Sequence, residues 1–106
     1  MDKRKIQERI IRSLMEFKPP KWGGSHTEER NMLKVLPRHL IGEKIVRKAV
    51  KELYDLGFIL RARKTNEWHV SLNPQKKREI YNFLGISCYY DTMLYQDRKF
   101  YKEGGT

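Results

Sequence analysis

The stretch GFILRARKTNEWHVSLNP, Gly57 to Pro74, decides how this chain is read. Phe58, Leu60 and Ala62 alternate with Ile59, Arg61 and Arg63, and Trp68, Val70 and Leu72 alternate with Glu67, His69 and Ser71. Successive side chains of a strand point to opposite faces. Alternation on both sides of the polar KTNE segment therefore predicts an antiparallel hairpin with one apolar face, built on Phe58, Leu60 and Ala62 in its first arm. Its cations Arg61, Arg63 and Lys64 gather with Asn66 towards the tip.

Immediately upstream, EKIVRKAVKELYDL (43–56) is the strongest helical pattern in the chain. Ile45, Val46, Ala49, Val50, Leu53 and Leu56 make a broad apolar stripe, while Lys44, Arg47, Lys48 and Lys51 fall on the other side with no acid among them. Gly57 stands where a C-terminal cap belongs. Downstream, Asn73 caps a further helix and Pro74 takes its first position, where a missing N–H costs nothing. That helix turns Ile80, Phe83 and Leu84 inward and closes at Gly85.

Residues 3–17 carry Ile6, Ile10, Leu14 and Phe17 on one stripe, widened by Ile11 and Met15, which predicts an amphipathic helix ended by KPPKWGG. Ser25 and Glu28 have capping-box spacing, with Thr27 as the alternative cap. They predict a short helix to about Leu36, with Met32, Leu33 and Leu36 inward and Pro37 as its stop. PRHLIG, which carries Arg38 and His39, is a tight connector. Residues 86–106 fit either a helix or a strand and carry Tyr89, Tyr90, Tyr95, Phe100 and Tyr101, more aromatic surface than water tolerates.

Of 106 residues, 23 are Lys or Arg and 13 Asp or Glu, a formal net charge of +10. Self-repulsion on that scale favours a polyanionic partner, and nucleic acid is the commonest. The lone cysteine, Cys88, forms no internal disulfide, and no apolar run approaches the roughly 20 residues of a membrane span. The charged start MDKRKIQERIIRSL lacks the apolar segment of a signal peptide, so a cytoplasmic location is expected.

Helix, helix, helix, hairpin, helix is the order of a helix-turn-helix with a wing. Over residues 3–84 the chain resembles the winged-helix superfamily, most closely in VRKAVKELYDLGFI running straight into the hairpin. WGGSHT, LPRHLIG and HVSLNP also resemble segments of small uncharacterised archaeal winged-helix proteins. The resemblance implies an α+β, mostly helical fold: a winged helix-turn-helix domain over 1–85 with a two-stranded wing and an additional C-terminal helix. Residues 86–106 would form an aromatic-rich tail for packing or dimerisation. It further implies that 43–56 is a recognition helix entering the major groove of double-stranded DNA, as in a transcription regulator or architectural factor.

On that reading Arg47 and Lys48 reach base edges or phosphates, flanked by Lys44 and Lys51, Arg38 and His39 in the connector meet the backbone, and Arg61, Arg63, Lys64 and Asn66 meet the backbone or minor groove. The bland alternatives are a solvated helix face and edge-strand charges that block aggregation. RNA binding and a protein-interaction module using the tyrosine-rich tail are the rival functions. A homodimer through the terminal elements would match a two-fold-symmetric operator.

WGGSHTEE has glycines before a helix start, as a phosphate cradle would, but lacks the Lys-Ser/Thr of a P-loop, so a linker and cap are expected there. His26, His39 and His69 are scattered with no metal-ligand spacing. No nucleophile motif or nuclease-type acidic cluster occurs, so neither a cofactor nor an enzyme activity is expected.

Overall fold

The computed structural model describes residues 1–86. Its elements run α1 (Lys3–Glu16), β1 (Thr27–Glu28), α2 (Glu29–Leu33), α3 (Lys44–Asp55), β2 (Ile59–Lys64), β3 (Glu67–Leu72) and α4 (Lys77–Leu84), with 3-10 turns at Arg38–Leu40 and Pro74–Lys76. The fold is α+β and about half helical, with one antiparallel sheet in the order β1-β3-β2. The sheet therefore has three strands, where the sequence reading expected two. The expectation of a mostly helical chain is likewise corrected to about half.

α1 starts where Asp2 accepts a 2.8 Å hydrogen bond from the Lys5 backbone N–H. It buries Ile6, Ile10, Ile11 and Leu14 completely, on the stripe the spacing indicated. Each such side chain contributes about 1.5–3 kcal/mol relative to exposure. Val46, Ala49 and Leu53 of α3, Ile59, Val70 and Leu72 of the sheet, and Ile80, Tyr81 and Leu84 of α4 complete one core. Gly57 (φ +76°) and Gly85 (φ +74°) end α3 and α4 in the left-handed conformation, as a terminal glycine should.

The third strand arises where a helix cap was expected. The Gly23 N–H donates to the Leu72 carbonyl at 2.9 Å and the Leu72 N–H to the Lys21 carbonyl at 2.7 Å, fastening this segment along the β3 edge. The chain stays extended through Thr27 and Glu28, which pair with Val70 and His69. Helix α2 starts only at Glu29, with no side-chain cap from Glu28, and stops at Leu33 rather than Leu36. Trp22 packs half-buried against the core, edge-on to Tyr81 with ring centres 6.3 Å apart.

The phase of β2 also differs from the sequence reading. Ile59, Arg61 and Arg63 stand opposite Leu72, Val70 and Trp68 and so share their face. Leu60 is 43 % exposed, and Ala62 is exposed with it on the outer face. Phe58 is buried but precedes the strand: its N–H caps α3 at the Leu53 carbonyl, so its inward side chain does not set the strand's alternation. Leu56, expected in the α3 stripe, lies in the turn beyond the helix and is 43 % exposed.

Candidate nucleic-acid interface

α3 presents two opposed faces. Val46, Ala49 and Leu53 are buried, while Lys44, Arg47, Lys48 and Lys51 all stand exposed on the other side. The orientation is locked from α1. Gln7, only 1 % exposed, donates from Nε2 to Glu52 at 2.8 Å and to the Ala49 carbonyl at 3.2 Å, and Lys3 reaches Glu52 at 2.8 Å. These bonds to Lys3 and Gln7 hold the Glu52 carboxyl below its ordinary range. Gln7 was missed in the sequence because it interrupts an apolar stripe. Its only sequence signal is that a lone polar residue there requires a buried partner.

The basic face is less free than its sequence suggests. Arg47 donates from Nη1 to the Gly42 carbonyl at 2.6 Å, and Lys51 pairs with Asp55 at 2.8 Å, so an acid one turn on does join this face. Lys44 and Lys48 have no ion-pair partner among the described residues. Arg38 and His39 lie exposed on the 3-10 turn that leads into α3.

The hairpin turns through Thr65 and Asn66 alone, at φ +55° and +72°. Positive φ at both central residues is the mark of a tight type I′ connection, whose twist matches that of the flanking strands. Lys64 and Glu67 face each other beside the turn, with Lys64 and Asn66 exposed at its tip. Arg61 and Arg63 do not extend freely. The Arg61 guanidinium lies 4.4 Å from the Trp68 ring centre and 4.8 Å from that of Tyr54 on α3, and Arg63 lies 5.4 Å from Trp68. Tyr54 in turn donates its hydroxyl to Glu29 at the start of α2. Burial, and then this bond to Glu29, raises the phenol far above its ordinary range, so Tyr54 stays a neutral donor. The sequence placed Arg61 and Arg63 at the hairpin correctly. It gave no sign that Tyr54, 14 residues from Trp68 and 25 from Glu29, would join them.

On the outer face of the sheet His26 and His69 meet, Nδ1 to Nδ1, at 2.8 Å. Partial burial, with Lys64, His69 and Lys21 adding positive charge, holds His26 below the ordinary imidazole range. This pair was invisible in the sequence because it forms only once β1 joins β3. Among the described residues no three or more side chains gather as metal ligands, and no helix is long and apolar enough to cross a membrane. Gly23, read as a possible phosphate donor, spends its N–H on Leu72. The aromatic tail and Cys88 lie outside the described residues.

Compared with protein-family models, with curated proteins and with solved structures, the chain finds no match.

Proposed function

We propose that this chain is a winged-helix protein that binds double-stranded DNA, with α3 as its recognition helix and the β2–β3 hairpin as its wing. The observation that carries the reading is the cationic face of α3 beside an arginine-bearing hairpin, joined to it through Arg61 on Tyr54. The order of elements and the three-stranded sheet suit that architecture. The net charge of +10 gives the affinity a salt-dependent, sequence-independent part.

The roles divide by geometry. Lys44 and Lys48 are exposed point charges and suit phosphates. Arg47 keeps guanidinium N–H groups beyond the one bonded to Gly42 and suits a guanine edge. Lys64 and Asn66 at the short turn suit shallow backbone contact. Arg61 supports the wing from within. Replacing Lys48 with Ala is expected to weaken binding to all duplexes alike, whereas Arg47→Ala is expected to cost about 1–3 kcal/mol on the preferred sequence only. Competition assays with a selected site and a scrambled duplex distinguish the two. Equal, unchanged affinity in both variants would contradict the assignment of α3.

A further inference from the structure

Between α2, the connector after it, α3 and β2 runs a groove of about 600 Å³. Sites that enclose small molecules span roughly 300–1,000 Å³. Leu33, Ile41, Val46 and Val50 give it apolar walls, and Ile41 is left 44 % exposed. Glu29 and Tyr54 stand on its wall. The Tyr54 hydroxyl engages Oε2 of Glu29, which leaves Oε1 and the second lone pair of Oε2 as acceptors. Arg47, Lys51 and Arg61 supply positive charge around the same groove. The Lys51–Asp55 pair is exposed, the kind of ion pair that exchanges for another anion at little cost.

A ligand that satisfies this groove brings an apolar body, hydrogen-bond donors for a carboxylate, and negative charge for the cations. A simple carboxylic acid suits the walls and the cations but sets a second anion near Glu29. A hydrocarbon engages neither the carboxylate nor the cations. A nucleotide supplies all three features.

We propose that the groove takes one nucleotide bearing guanine, with the base against the apolar walls, its N1–H and N2–H groups on Glu29 and its phosphate on Arg47, Lys51 and Arg61. Guanine is selected because it offers two adjacent donors on one edge, which match the acceptors of a carboxylate. Adenine and cytosine offer one amino group there. Thymine and uracil flank their single N–H with carbonyls that the carboxylate repels. The nucleotide comes either free or as an unpaired position in a strand, and only the second source rests on the nucleic-acid function proposed above.

The test measures equilibrium binding of the whole chain to guanosine 5′-monophosphate, uridine 5′-monophosphate, a thymine-only single strand and the same strand with one guanine. A blunt duplex is measured alongside, and the series is repeated with Glu29→Gln and Glu29→Asp. The guanine ligand is expected to bind about tenfold or more tightly than its pyrimidine counterpart, and both variants are expected to lose that preference with unchanged thermal melting. A preference among monophosphates assigns the free nucleotide; one confined to strands assigns an unpaired base. Equal binding of guanine and pyrimidine by the native chain, or a preference that survives Glu29→Gln, overturns the proposal. Duplex affinity is read separately: a native chain that prefers guanine but binds no duplex contradicts duplex recognition and leaves the groove assignment standing.

Discussion

The Arg61 guanidinium stacks on the Trp68 ring, 4.4 Å from its centre, with the Tyr54 ring 4.8 Å away. One cation from β2 therefore lies against aromatic rings of both β3 and α3. The hairpin is held in a fixed relation to the helix beside it, and this charge belongs to the support of the hairpin more than to its tip.

That placement separates Arg61 from Lys64. Arg61→Ala is expected to lower stability by about 1 kcal/mol, the scale of exposed cation–π contacts. Lys64→Ala is expected to leave stability unchanged and to reduce the salt slope of DNA binding by about 0.9, the share of one phosphate. Urea unfolding and a salt series on both variants check this. An Arg61→Ala protein as stable as the native chain would show that the stacking supports nothing.

The turn stores removable strain. Thr65 is β-branched yet sits at φ +55°, a region that β-branched residues avoid. Left-handed backbone costs roughly 1–2 kcal/mol for an ordinary residue. Replacing Thr65-Asn66 with Asn-Gly, the pair that type I′ turns favour, is expected to stabilise the chain by about 1 kcal/mol. Thermal melting checks it, and a lower midpoint would mean that the turn adopts another geometry.

Acid should loosen the outer face of the sheet. His26 is held below its ordinary value of 6.5 by partial burial, then by Lys64, His69 and Lys21. The unfolded chain then binds more protons than the folded one between the two pKa values, so stability falls as pH drops through about 6.5 and levels off below the folded value. The bond between the imidazoles needs one bare nitrogen, so a second proton breaks it. His26→Gln is expected to flatten stability against pH in that window. An identical profile in the variant would place the dependence elsewhere.

The helices were legible because their apolar spacing is long and regular: Ile6, Ile10 and Leu14 in α1, and Val46, Ala49 and Leu53 in α3, lie buried as their period requires. The sheet was less so. β1 is only two residues long and exists because Lys21 and Gly23 bond to Leu72, a pairing about fifty positions away that no local pattern records. The chemistry of Leu60 suits the apolar face, whereas the register with Ser71 turns it outward. Within the candidate site the cations of α3 and the hairpin were all readable. Their commitments to Gly42, Asp55, Tyr54 and Trp68 were not, since each depends on tertiary placement.

Duplex binding through α3 and the hairpin is best tested by a salt titration. Binding of the whole chain is measured from low to physiological salt on random duplex DNA, with matched duplex RNA and single-stranded DNA in parallel. About three phosphate contacts, from Lys44, Lys48 and Lys64, give an expected slope of roughly −3 in log K against log salt, with duplex DNA bound most tightly. A slope near zero, or equal affinity for all three polymers, would contradict duplex binding through these elements.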